Sequence, residues 1–165
     1  MKKIGIFYGS SMGYTETIAK QLGTLLEADT WDVSEHPEGA LQQYDVLILG
    51  SSTWSLGELQ DDWEGFIDSI QKADLQGKTV ALFGLGDAES YPDTFCDAVG
   101  ILYETLQDKG CTFIGDVARD NYTYDATKAE VDGRLVGLLL DEENESDKTE
   151  ERLQAWVEQI KTAIA

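Results

Sequence analysis

The chain has little of what metal and thiol chemistry require. Among 165 residues there are two cysteines, Cys96 and Cys111, and one histidine, His36. No Cys-x-x-Cys occurs and no histidine stands at ligand spacing from another donor, which argues against a structural zinc site or a dithiol redox motif. The two thiols read as reduced, structural cysteines of a cytoplasmic protein. His36 lies in the polar turn Ser-Glu-His-Pro-Glu and reads as a surface residue. Long apolar runs are absent too: none approaches the roughly 20 residues of a membrane-spanning helix. Met1-Lys2-Lys3 leads straight into a strand pattern without the apolar stretch of a signal peptide. The expectation is a single cytoplasmic domain over 1–165 with no membrane insertion.

Positive charge is the other shortage. Lys and Arg total 12 against 32 Asp and Glu, for a net charge of −20. Such a surface repels nucleic acid and anionic membranes and attracts basic partners. An acidic balance also serves solubility or salt adaptation, but the distribution is uneven. Between Trp54 and Asp97 stand ten acids (Glu58, Asp61, Asp62, Glu64, Asp68, Asp74, Asp87, Glu89, Asp93 and Asp97) and only Lys72 and Lys78. Between Lys3 and Lys20 there is no basic residue at all.

That cation-free stretch is also the most informative one. Ile4, Ile6 and Phe7 make an apolar strand, which enters a loop with Ser10, Ser11, Met12, Gly13, Tyr14 and Thr15. A helix follows with Ile18, Ala19, Leu22, Leu25 and Leu26 on one face. Backbone N–H groups and hydroxyls therefore gather at a helix N-terminus, where the macrodipole favours an anion. A nucleoside-triphosphate loop would end in Gly-Lys-Ser/Thr, which is missing. The chemistry suits one permanently held phosphomonoester, and an ordinary strand–turn–helix would be satisfied by the same small residues.

Beyond it, strand-type runs alternate with helical periodicity, the pattern of a doubly wound α/β sheet. Thr30–Val33 is a brief second strand, and Asp45–Leu49 and Thr79–Phe83 are apolar runs suited to buried parallel strands. Helical spacing predicts helices over 58–71, 94–109 (stopped by Gly110) and 148–163, the last with Asp147 and Glu150 as a capping box. Phe113–Ile114 opens a fifth strand, which a polar insertion over 115–133 interrupts before Leu135–Leu140 resumes it. Trp63 and Trp156 fall on apolar helix faces and read as core. Asp45 opens a strand where a phospho-accepting aspartate would have to end one, and Gly84-Leu-Gly86 lacks the third glycine of a dinucleotide fingerprint.

Two further loops leave strand ends. One runs from Gly50 through Ser52, Thr53, Trp54, Ser55, Leu56 and Gly57 to Trp63, the other from Gly84 through Leu85, Gly86, Asp87 and Tyr91 to Cys96 and Asp97. Each carries one aromatic, Trp54 or Tyr91, on polar, glycine-containing chain, an arrangement suited to gripping a flat ring between aromatic planes.

Together these segments resemble the flavodoxin family, long-chain class, over essentially the whole chain. Ile6, Phe7, Tyr8, Ser10, Gly13, Thr15, Ala19 and Leu22 stand at the spacings of its signature, with Met12 replacing a hydroxyl residue and Tyr14 an asparagine. Thr-Trp-x-x-Gly-Glu-Leu-Gln-x-Asp-Trp (53–63) and Gly-x-Gly-Asp-x-x-x-Tyr (84–91) match its ring-binding loops. The resemblance implies a five-stranded parallel sheet in the order 2-1-3-4-5 with helices on both faces and the last strand split. It implies FMN as cofactor, its phosphate in the 10–15 loop, Trp54 and Tyr91 on the two ring faces, and the backbone of Ser55–Leu56 at flavin N5. Asp87 would serve the pyrimidine edge, Cys96 and Asp97 would lie near the ring, and Asp147 would be either a ribityl-side residue or a plain helix cap.

No residue set suggests a nucleophile–base pair or a substrate pocket, so the cofactor would carry the chemistry. The implied function is a low-potential, monomeric one-electron carrier between a ferredoxin/flavodoxin–NADP reductase and low-potential acceptor enzymes. The alternative is an FMN-dependent NAD(P)H:quinone-type reductase on the same fold. Met12 yields a prediction, because a hydroxyl donated to a phosphate contributes roughly 1.5–3 kcal/mol. Met12→Thr should tighten FMN binding about tenfold or more in a fluorescence titration of the apoprotein; an unchanged dissociation constant would show that the loop does not use that side chain.

Overall fold

The computed structural model describes all residues except Met1, Ser11, Met12, Ser55 and Leu56, and leaves out the side chains of Trp54 and Asn121. The parts of the phosphate-loop and N5 expectations that rest on Ser11, Met12, Ser55 and Leu56 therefore lie outside the described residues.

The central sheet is built from near-continuous apolar runs: β1 (Ile4–Gly9), β2 (Asp29–Asp32), β3 (Val46–Trp54), β5 (Thr79–Leu85), β6 (Thr112–Ile114) and β10 (Leu138–Leu140). All pair in parallel, along the path β10-β5-β3-β1-β2. β3 occupies one whole edge of β5, from Thr79 to Leu85. The opposite edge is shared, with β6 beside Thr79–Ala81 and β10 beside Phe83–Leu85. A short antiparallel strand, β4 (Glu58–Leu59), folds back on the end of β3.

Strand side chains alternate between the two faces, and the core divides accordingly. Ile4, Ile6, Val46, Ile48, Ala81, Phe83, Leu138 and Leu140 meet α1 (Tyr14–Leu26) and α4 (Ser146–Ile164). Phe7, Leu47, Leu49, Val80, Leu82 and Leu139 meet α2 (Asp61–Lys72) and α3 (Asp97–Leu106). Trp63 and Trp156 are fully enclosed on opposite faces. Each indole N–H donates to a main-chain carbonyl, Trp63 to Gly50 at 2.6 Å and Trp156 to Gly115 at 2.8 Å, so burial leaves neither donor unsatisfied.

Several boundaries differ from the sequence expectation for identifiable reasons. α2 begins at Asp61, not residue 58, because the Gln60 side-chain oxygen accepts from the amides of Asp62 (3.0 Å) and Trp63 (3.3 Å) and caps the helix; Glu58 and Leu59 are strand. α3 begins at Asp97 because Cys96 before it is left-handed (φ 50°), and it ends at Leu106 with a turn to Gly110. α4 begins at Ser146 after Glu145, with no side-chain cap; Asp147 is already inside the first turn, so the Asp147–Glu150 capping box does not form. The last strand resumes at Leu138, because Arg134–Leu135 (β9) pairs instead with β7 (Val117–Ala118) and β8 (Glu130–Val131) in a small separate sheet. Among the described residues no helix is long and apolar enough to cross a membrane.

The insertion packs back onto the domain. The Tyr122 hydroxyl donates to the Leu139 carbonyl at 2.7 Å, and its ring lies 4.0 Å beneath the Arg152 guanidinium. Burial pushes that phenol up to about 12. Tyr124 stacks on Phe95 at 5.7 Å.

Close approach in the sheet centre gives a stability prediction. A Cβ on Gly50 would stand 2.0 Å from the Phe83 ring. Overpacking a tight core costs roughly 1–3 kcal/mol, so Gly50→Ala should lower the urea midpoint by a corresponding amount at unchanged slope, whereas Gly65→Ala, with open space around it, should not.

Candidate functional site

In a parallel sheet every loop leaving a strand's carboxyl end emerges at the same edge, and ligands bind where neighbouring connections diverge to opposite faces. Here the chain leaves β1 toward α1 on one face and β3 toward α2 on the other. At that edge lies a cleft of about 230 Å³. Ser10, Tyr14 and Thr15 line one end, Ser52 and Thr53 the middle, and Leu85, Gly86, Asp87, Tyr91, Thr94 and Cys96 the far wall, with Glu142 and Glu143 closing the side.

The first end is formed by the start of α1. Gly13 adopts φ 89°, a left-handed conformation open to glycine at little cost, and brings no side chain to cap α1. Its N–H donates to the Ser10 hydroxyl at 3.0 Å, which fixes the entry of the loop. The first-turn amides of α1 have no intrahelical acceptors and point along the positive end of the helix dipole. Thr15 beside them is only 2% exposed.

The middle is held by a network of small polar groups. The Ser51 hydroxyl donates to the Ser52 carbonyl and accepts from the Gln60 amide, fastening the β3–β4 hairpin. The Thr53 hydroxyl accepts from the Ala98 amide at 3.0 Å, joining that hairpin to the start of α3. Gly57 (φ 90°) lies so close to Asp97 that a Cβ there would come 2.6 Å from a carboxylate oxygen.

The far wall is an ordered turn. Asp87 Oδ1 accepts from the amides of Glu89 (3.2 Å) and Ser90 (2.9 Å), and the Tyr91 amide donates to the Asp87 carbonyl at 2.9 Å. Desolvation pushes the Asp87 carboxyl up, but these amides and the Asn144 side chain together outweigh it and hold it below the ordinary aspartate value. The insertion braces this loop from behind, since the amides of Asp125 and Ala126 both donate to the Pro92 carbonyl. Tyr14 (49%) and Tyr91 (43%) are the large apolar side chains left exposed among the described residues, and both border this cleft.

Of the residues singled out in the sequence, Ser10, Tyr14, Thr15, Ser52, Thr53, Leu85, Gly86, Asp87, Tyr91 and Cys96 line the cleft; Gly13 and Gly57 shape its loops without lining it. Trp54 ends β3, opposite Glu58 of β4. Asp97 does not line the cleft: 3% exposed, it packs against Gly57, accepts the Lys128 amide at 2.7 Å and anchors the insertion. Asp147 is exposed in the first turn of α4 and does not line the cleft. Thr94, Glu142 and Glu143 were not anticipated. The two glutamates follow β10 after Asp141, so the rule that ligands meet the carboxyl ends of strands was the signal that could have found them. Among the described lining residues there are three carboxylates and no Lys, Arg or His. Cys96 is fully buried and its thiol is pushed far up, first by desolvation and then by the nearby Asp141 charge, which keeps it an unreactive thiol.

Fold and cleft together define a doubly wound α/β protein with a cleft at the carboxyl edge of its sheet, bordered by the start of α1 at one end and by Tyr91 at the other. Comparison with known proteins gives the family. The flavodoxin family model matches residues 6–156. The flavodoxin of Synechocystis sp. is 45% identical, covering 99% of both chains, and flavodoxin 2 of Escherichia coli is 41% identical, covering 98% of this chain and 96% of that protein. The crystal structure of the Fusobacterium nucleatum flavodoxin with flavin mononucleotide bound superposes with a TM-score of 0.93 at 31% identity, covering 99% of each chain. The chain belongs to the flavodoxin family.

Asp97 generates a pH prediction. Its carboxyl is raised above the ordinary 3.8, first by desolvation, with the Lys128 amide opposing. A raised folded value means the native state holds the proton more tightly, so Asp97 contributes stability below about 3.8 that is lost as pH climbs through the folded value. Asp97→Asn keeps an acceptor for Lys128 and removes the titration. Its stability relative to the parent should therefore improve as pH rises from below 3.8 to neutrality in urea unfolding, and a difference independent of pH would show that Asp97 carries no such penalty.

Proposed function

We propose that this protein is an electron carrier that binds FMN in the cleft and passes single electrons at low potential from a basic reductase to acceptor proteins. The observation that carries the reading is the pairing of a helix N-terminus that Gly13 leaves without a side-chain cap with a cleft at the sheet's carboxyl edge that Tyr91 borders and that no Lys, Arg or His lines among the described residues.

The residues present fit the group. The amides of the first turn of α1, with Ser10 and Thr15, would hold the phosphate without a lysine. Tyr91 would cover one face of the ring, Trp54 would stand on the other, and the ordered main chain of Gly86–Asp87 would meet its polar edge. Bound FMN supplies reversible one- and two-electron redox chemistry. The chain's part is to hold it, to exclude water from the ring and to set the electrostatic field. An electron added in this cleft meets Asp87, Glu142 and Glu143 with no lining cation among the described residues to compensate. Each such charge opposes it by on the order of 1 kcal/mol once solvent screening is allowed for. The field therefore lowers the potential of the more negative step, and the same acids draw in a positively charged partner.

The cited relatives are flavodoxins, which are electron-transfer proteins rather than enzymes. As a cytoplasmic monomer, the protein would exchange electrons at the exposed cleft mouth near Tyr14 and Tyr91, where a ferredoxin/flavodoxin–NADP reductase or a low-potential acceptor enzyme could dock.

Purified protein should be yellow and release FMN on acid precipitation. Stepwise reduction followed in the visible spectrum should show two separated one-electron steps. A single two-electron wave, or rapid NAD(P)H:quinone turnover without added reductase, would overturn the carrier reading. Electron transfer from a basic reductase should slow as salt rises from 0.05 to 0.3 M, because exposed charges more than about 8–10 Å apart are screened in that range.

A further inference from the structure

The cleft's two acidic loops are joined by one side chain. Asp141, the residue after β10, is fully buried, and its Oδ2 accepts the Ala88 amide at 3.0 Å. Asp87, after β5, organises the turn that ends at Tyr91. Between these carboxylates lies the Asn144 amide group. Its Nδ2 stands 2.8 Å from Asp87 Oδ1 and 3.1 and 2.9 Å from the two oxygens of Asp141, while its main-chain N–H donates to Asp141 Oδ1 at 3.0 Å. Two negative groups thus converge on a neutral –NH₂ that can donate to both at once. Glu142 and Glu143, which line the cleft, are carried on the short span between Asp141 and Asn144.

We propose that Asn144 is a positioning residue, a clamp that locks the Tyr91 turn to the end of β10 and so fixes Tyr91, Glu142 and Glu143 against one another across the cleft. Asn144 has no contact with the cleft itself; it acts through Asp87 and Asp141. Aspartate at this position would keep the shape, remove both donors and bring a third carboxylate among the other two. Leaving a buried acceptor such as Asp141 short of a donor is unfavourable, and like charges at this range repel. The consequence for redox tuning rests on the cleft being the flavin site; the clamp itself does not.

Asn144→Asp and Asn144→Ala should be compared with the parent by hydrogen–deuterium exchange on flavin-free protein. The Ala88 and Ser90 amides should exchange at least tenfold faster in both variants, with β1 and β3 unchanged. The double variant Asp87→Asn with Asn144→Asp, which returns an amide to the cluster, should recover most of the protection. In the FMN-loaded protein Asn144→Asp should weaken flavin binding about tenfold and move the two midpoint potentials by different amounts, which a general loss of stability would not do. Unchanged exchange at Ala88 and Ser90 would overturn the clamp, whatever the flavin results. A parent protein that retains no FMN would overturn the proposed function and leave the exchange result to decide the clamp alone.

Discussion

A parallel strand buried on both faces cannot turn straight back on itself; its chain must cross the sheet through a covering element before the next strand can pair. The rest of this molecule depends on that constraint. It places α1 and α4 on one face and α2 and α3 on the other, and it delivers the loops after β1, β3, β5 and β10 to one edge. Residues as far apart in the chain as Ser10, Thr53, Tyr91 and Glu143 become neighbours there. The cleft is a by-product of sheet geometry before it is a site of any chemistry.

Given the cleft, its contents are kept in place by polar contacts. Gly50 and Gly115 offer carbonyls to the two buried indoles, Thr53 receives an α3 amide, and Asp141 receives the Ala88 amide and those of Asn144. Each satisfies a group that burial would otherwise leave unpaired. The insertion continues this work, since Tyr122, Tyr124 and the chain at Asp125–Ala126 hold the back of the Tyr91 loop and the edge of β10. Asp87 is held in the cleft wall beside Tyr91 because its carboxylate accepts the Glu89 and Ser90 amides.

The strands and both core tryptophans were legible because period-2 and helical patterns are local consequences of burial. The strand–loop–helix at 4–22 was equally plain. The ends of helices were not. Gln60 caps α2 in place of extending it N-terminally, a role that depends on Glu58–Leu59 pairing with Thr53–Trp54. Asp97 looked like a cleft residue by its position after the Tyr91 loop, yet it faces Lys128. Asp147 looked like a cap because acid and glutamate stand three apart, but the loop from β10 reaches the helix two residues earlier.

The sequence by itself determined the alternation of strands and helices, the two apolar faces, the small-residue loop at a helix start and the excess of acid near it, because each is written in the spacing of nearby residues. Tertiary structure alone decided which acids meet. Asp87 and Asp141 lie 54 residues apart and converge on Asn144 only because β10 pairs beside β5. No local pattern encodes that pairing: it follows from the shared edge of β5, where the insertion divides the last strand.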